Sequence, residues 1–220
     1  MVHIVRRLGA TSATPADPGF NPLTRRQQEF SDWTPNNREP HEETLEVYSN
    51  CEEVELFLNG KSLGSKSLPS DASPRSWQVS FAPGVIKAVG KNHGGSVATH
   101  ELRTAGPAAK VLLSTEQARL SPVWDDVCYV KATIVDSDDV PVPDADAPIT
   151  FNLAGPGFIA AVDSGDIASH EPFQASTRHA YQGTCFAILK ASADRGRLSL
   201  TASAPGLKPG SMAIKLAQTH

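Results

Sequence analysis

Apolar and polar residues alternate along Leu45–Leu58. Leu45, Val47, Val54, Leu56 and Leu58 are interleaved with Glu46, Tyr48, Glu55 and Phe57, a period of two that marks half-buried strands. Asn59-Gly60 follows directly. That dipeptide accepts the positive φ angles of a type I′ turn, so a hairpin into Lys61–Leu68 is expected. Further on, Trp77, Val79 and Phe81 share one face of RSWQVSF, and APG turns the chain into VIKAVGK. Asn92-His93-Gly94-Gly95 turns it again into SVATHELRT.

The same rhythm resumes after Thr104-Ala105-Gly106-Pro107, a boundary where proline cannot donate to a sheet. The strand candidates are AKVLLST, DVCYVKATIVD, APITFNL, FIAAVDS, TCFAILKAS, GRLSLTAS and SMAIKLA. In the second of these, Cys128, Val130, Ala132 and Ile134 share one face. Seven strands at this spacing suit an Ig-type sandwich. By contrast, residues 1–43 read as an irregular leader. ATSATPADPGFNP favours loop, LTRRQQEF suits one short helical turn, and DWTPNNREPHEE is loop again. Phe20, Phe30 and Trp33 are its expected anchors. The expected fold is all-β: two tandem Ig-like antiparallel β-sandwiches, 44–104 and 107–218, behind a leader over 1–43.

Composition narrows the function. The chain has 220 residues and a net charge of −4, against the basic face that nucleic acid requires. No apolar run nears the roughly 20 residues of a membrane helix. Met1–Arg7 lacks the features of a signal peptide. The three cysteines Cys51, Cys128 and Cys185 leave at least one thiol unpaired, and no CxxC or zinc-like Cys/His spacing occurs.

Several segments together resemble a known family. They are VYSNCEEVELFLNGKSLG, WQVSFAPGVIKAVGK and ELRTAGPA in the first module. YVKATIVDSDDVPVPDA, ITFNLAGPGFIAAVDSGD, EPFQ and AYQGTCFAIL carry it in the second. In order and spacing they are similar to the accessory β-domains that follow the catalytic barrel in β-galactosidase-like enzymes of glycoside hydrolase family 2. Met1–Arg7 looks like the segment leaving that barrel. The resemblance implies a parent enzyme that hydrolyses a terminal β-linked sugar with retention, with the barrel as this region's partner; the compartment stays open, a periplasmic or secreted parent being compatible with it. The family's chemistry needs two glutamates about 5 Å apart on a barrel of about 250 residues. No βα repeat occurs here, so no catalytic residue is carried over, and no cofactor or metal is expected. The family often has Asn-Gly-Asp where this chain has Ser164-Gly165-Asp166.

Glu52, Glu53 and Glu55 read as a solvated strand face rather than paired catalytic acids. Asp136, Asp138, Asp139, Asp144 and Asp146 form an acidic loop without the glycine and terminal glutamate of a calcium loop. Cys128 and Cys185 suit either an inter-sheet disulfide or two buried thiols. Trp33 and Trp124 lie in loops and are candidates to stack on sugar, whereas Trp77 belongs to a core face. Asp166, His170 and Glu171 occupy a polar loop that could meet carbohydrate or a neighbouring domain. The expected role is structural: buttressing the barrel, shaping its rim or carrying subunit contacts. The alternatives are a carbohydrate-binding module, which requires exposed aromatics on one face, and a bacterial surface Ig-like module.

Overall fold

The computed structural model describes residues 1–8, 28–117 and 119–217. Every regular element among them is a strand. The chain divides into two compact units, Met1–Thr104 and Ala105–His220.

The first unit holds two four-stranded antiparallel sheets. One has the order β2-β1-β3-β6, built from β1 (Val2–Leu8), β2 (Gln28–Phe30), β3 (Glu42–Ser49) and β6 (Arg75–Ser80). The other has the order β5-β4-β7-β8, from β4 (Glu53–Leu58), β5 (Lys61–Ser67), β7 (Val85–Asn92) and β8 (Gly95–Arg103). Ile4, Leu45, Val47, Trp77 and Val79 meet Val54, Leu56, Ile86 and Ala88 in one core. The alternating residues seen in the sequence thus supply the inner faces. Asn59 and Gly60 have φ of 50° and 80°, and Leu58 pairs with Lys61 across them, which is the two-residue hairpin.

Two strands lie in the segment expected to be irregular. β1 pairs with β3, Ile4 opposite Val47. Arg6 and Arg7 interrupt its apolar pattern, yet acids neutralise both. Arg6 reaches Asp32 at 3.1 Å and Glu43 at 3.4 Å, and Arg7 pairs with Glu46. Gln28–Phe30, the end of the expected helical turn, is β2, held by pairing with β1. The rest of that turn and Phe20 lie outside the described residues. Trp33 is fully buried, its indole N–H donating to the Ala82 carbonyl at 3.1 Å and its ring 5.1 Å from that of Phe81.

The second unit pairs a five-stranded with a four-stranded sheet. The first has the order β10-β17-β16-β12-β14: β10 (Arg119–Leu120), β17 (Gly210–Leu216), β16 (Arg197–Ser203), β12 (Pro148–Ala154) and β14 (Thr177–His179). The second has the order β13-β15-β11-β9: β13 (Gly157–Asp163), β15 (Thr184–Ala191), β11 (Cys128–Val135) and β9 (Lys110–Ser114). All seven expected strands form. The additions are β10 and β14, too short to show a period. Between the sheets lie Cys128, Val130, Ile134, Ile149, Phe151, Cys185, Leu189, Leu198 and Ile214.

A disulfide between Cys128 and Cys185 does not form; both thiols are free and buried. β11 and β15 are neighbours in one sheet, not facing strands of two. Cys128 pairs with Leu189, and Cys185 with Ala132. The four-residue offset separates the two by roughly 13 Å, beyond the reach of about 7 Å for a bridge. Burial pushes the Cys185 thiol up to about 12 and raises that of Cys128.

A loop braced by a buried arginine

β13 ends at Asp163, and the chain then runs through Ser164–Ser176 before β14 pairs with β12. At the centre of this turn is Arg178, whose side chain is 1% exposed. A guanidinium taken from water needs partners for its donors, and the loop supplies them. Nε donates to Ser164 Oγ at 3.3 Å, Nη1 to the Glu171 carbonyl at 2.9 Å, and Nη2 to Asp163 Oδ1 at 3.3 Å. The Glu171 carboxylate stands 3.6 Å from Nε. The Phe173 ring lies 5.2 Å from the guanidinium carbon, a cation–π contact.

The loop also closes on itself. Asp163 Oδ1 accepts the N–H groups of Ser164 and Gly165, and Asp166 Oδ1 accepts that of Ala168. Glu171 Oε1 lies 2.8 Å from His179 Nδ1. That bond, with the nearby charges of His179 and Arg178, holds the Glu171 carboxyl below its ordinary range against the opposing cost of burial.

The five candidate residues therefore have different surroundings. Asp166, His170 and Glu171 share this loop, but Asp166 and Glu171 are engaged in holding it. His170 is exposed, and Ile167 beside it is fully exposed. Trp124 is 82% exposed, at the tip of a separate turn. Asp126 pins that turn by accepting the Ser121 N–H and hydroxyl at 2.7 and 2.6 Å, and Lys190 donates to the Trp124 carbonyl. Trp33 is a core residue of the first unit with no face free for stacking. Sequence reasoning missed Arg178 because Ser-Thr-Arg-His shows no apolar alternation that would mark burial.

Several other acidic groups are also committed. Glu55 meets Lys91 at 2.7 Å and Ser62 at 2.6 Å, and Glu53 lies 3.7 Å from the same lysine. Asp136 is buried; its carboxylate accepts the N–H groups of Gly106, Asp138 and Val140. Burial alone would raise that carboxyl, but these bonds outweigh it and hold it low. Asp139 pairs with Lys110 at 2.9 Å. Among the described residues no group of three or more His, Cys, Asp or Glu could hold a metal ion. No described helix is long and apolar enough to cross a membrane.

Comparison with known proteins places this architecture. Residues 111–213 match the glycoside hydrolase family 2 C-terminal domain 5. The chain belongs to the C-terminal region of glycoside hydrolase family 2. Residues 42–98 match a domain of unknown function, DUF4982. Beta-galactosidase BoGH2A of Bacteroides ovatus is 36% identical over 167 residues, 76% of this chain and 20% of its own length. A beta-glucuronidase of Formosa agariphila is 26% identical over 179 residues, 78% of this chain and 18% of its own. A solved family 2 glycosyl hydrolase from Bacteroides cellulosilyticus superposes with a TM-score of 0.86 at 30% identity, over 99% of this chain and 28% of that one. The chain thus spans about a fifth of the length of the curated relatives it matches.

Proposed function

We propose that this chain is the non-catalytic accessory region of a β-galactosidase-like family 2 enzyme. Its two modules, 44–104 and 107–218, buttress the catalytic barrel, shape its rim or carry subunit contacts, and the 1–43 segment, whose β1 and β2 join the first module's sheet, ties them to the barrel. The parent reaction is hydrolysis of a terminal β-linked sugar with retention. The observation that carries this reading is the part-to-whole relation. Most of this chain aligns with about a fifth of beta-galactosidase BoGH2A, so most of such an enzyme lies in sequence this chain does not share.

The Arg178-braced loop supports the same reading. It holds a fully exposed isoleucine beside an exposed histidine on a fixed support, as a surface that meets another domain does. His170, Asp166 and Trp124 are contact candidates for the barrel or its substrate in that assembly.

The test is incubation of the purified chain, at high concentration, with chromogenic β-galactoside and β-glucuronide. No turnover is expected. Turnover that survives repurification would overturn the accessory role.

A further inference from the structure

The outer face of the sheet β13-β15-β11-β9 carries a feature that bracing a barrel does not require. Along β11, Cys128, Val130 and Ala132 point into the core, so Tyr129 and Lys131 point out. Along β15, Cys185, Ala187 and Leu189 point in, so Phe186 and Ile188 point out. Register puts Phe186 opposite Lys131 and Ile188 opposite Tyr129. Tyr129 and Phe186 are therefore diagonal neighbours on one face, roughly 7–8 Å apart at the backbone. Ser114 sits across from Lys131 on β9, and the chain leaving β9 through Thr115, Glu116 and Gln117 walls the far side. Together these residues line a groove of about 450 Å³, within the roughly 300–1,000 Å³ usual for small-molecule sites.

The chemistry of the groove is mixed in a particular way. Tyr129 is 56% exposed, a large ring kept in water at a cost in unburied apolar area. Among the described residues the Tyr129 hydroxyl, the Lys131 ammonium and the Glu116 carboxylate have no hydrogen-bond or ion-pair partner. One positive and one negative group face the same space, so the rim carries no net charge. A pyranose ring matches this arrangement. Its C–H face packs on aromatic rings, and its equatorial hydroxyls both donate and accept. Tyrosine, lysine, carboxylate and amide groups offer the complementary roles.

We propose that the groove lined by Tyr129, Phe186, Lys131 and Ser114–Gln117 binds a neutral saccharide, one sugar face lying against the two rings. It is a binding activity separate from the accessory role and does not depend on it. It also differs from the tryptophan platform suggested by the sequence: neither Trp33 nor Trp124 lines the groove.

The full chain is titrated with cellotetraose, xylotetraose and β-1,4-galactotetraose, by calorimetry and by saturation-transfer NMR. Saturable binding of at least one is expected, with a Kd on the order of 1 mM and saturation transfer concentrated on sugar ring protons. Tyr129→Ala is expected to weaken binding about tenfold with an unchanged melting temperature. Lys131→Met, which keeps the bulk of the side chain, should weaken it several-fold. Tyr181→Ala, an exposed aromatic outside the groove, should bind as the parent chain does. Absence of saturation with all three sugars would overturn the proposal. So would parental binding by both Tyr129→Ala and Lys131→Met, or an equal loss in Tyr181→Ala, which would put the site elsewhere.

Discussion

Replacing Arg178 with methionine keeps much of the aliphatic stem and removes the guanidinium from the loop it braces. The cost follows from which partners can return to water. The Asp163 and Glu171 side chains are 46% and 31% exposed, so both carboxylates regain hydration and their share is small. Ser164 is buried, and the Glu171 carbonyl loses its 2.9 Å donor. Leaving such groups unsatisfied costs about 1–3 kcal/mol apiece. Loss of the Phe173 contact adds about 0.5–1 kcal/mol, and methionine recovers part through its apolar stem. The sum is about 3 kcal/mol, which for a unit of this size lowers the melting temperature by roughly 10 °C. Urea unfolding followed by circular dichroism, with residues 1–104 expected to keep their own transition, measures it. A loss below about 1 kcal/mol would refute the claim that Arg178 holds the Ser164–Phe173 loop.

Gly60→Val forces a β-branched residue to φ near 80° and should cost about 1–3 kcal/mol in the first unit; a melting temperature within a degree of the parent would deny the hairpin its role. His100 accepts the Ile4 N–H on Nδ1 at 3.1 Å, and burial, with His3 nearby, lowers its pKa. Its neutral form therefore contributes stability that is present above the unfolded value of about 6.5 and lost as pH falls below it. His41 acts in the opposite sense: the Glu39 carbonyl and Glu43 raise its pKa, so its share is present below about 6.5 and lost as pH rises through the folded value. His100→Gln should thus flatten the acid limb of first-unit stability below about pH 6.5, and an unchanged limb would count against it. Finally, all three thiols should resist a disulfide reagent in the native chain and react only on unfolding, because each is buried; fast native labelling of Cys128 or Cys185 would contradict their placement.

The strand plan was largely visible in the sequence because period-two alternation reports a sheet with one face buried. That signal found all seven main strands of the second unit. It did not find β1, where Arg6 and Arg7 break the apolar pattern and only Asp32, Glu43 and Glu46 make burial tolerable. It did not find β14, where three residues carry no period. The tryptophans show a second limit. Trp33 and Trp124 both lie in loop-like sequence, yet one is in the core and the other in water. The difference is the Ala82 carbonyl and the Phe81 ring, brought there by chain 49 and 48 residues away. The outward placement of Tyr129 was implied by its inward neighbours. The groove was not, because it requires the register between β11 and β15, which long-range pairing sets.

Three arginines account for much of what alternation could not reveal. Arg6 fixes Asp32, in the chain after β2, against Glu43 on β3. Arg75, on the edge strand β6, donates to the carbonyls of Ser49, Cys51, Lys66 and Ser67, closing the corner from β3 to β4 and the end of β5. Arg178 gathers the loop between β13 and β14. In each case a strand residue sends its guanidinium to groups at the end of a strand or in a connecting segment: carboxylates for Arg6, carbonyls for Arg75, and both for Arg178. The five donors of that group, set in a plane, can satisfy several carbonyls and carboxylates at once, which a lysine cannot do. A chain with 6% aromatic residues has few large side chains to seal such corners by burial alone. Buried guanidinium groups perform that sealing here, and they turn an irregular segment such as Ser164–Phe173 into a surface of fixed shape. An accessory region needs that property if it is to hold a barrel or a sugar in a defined position.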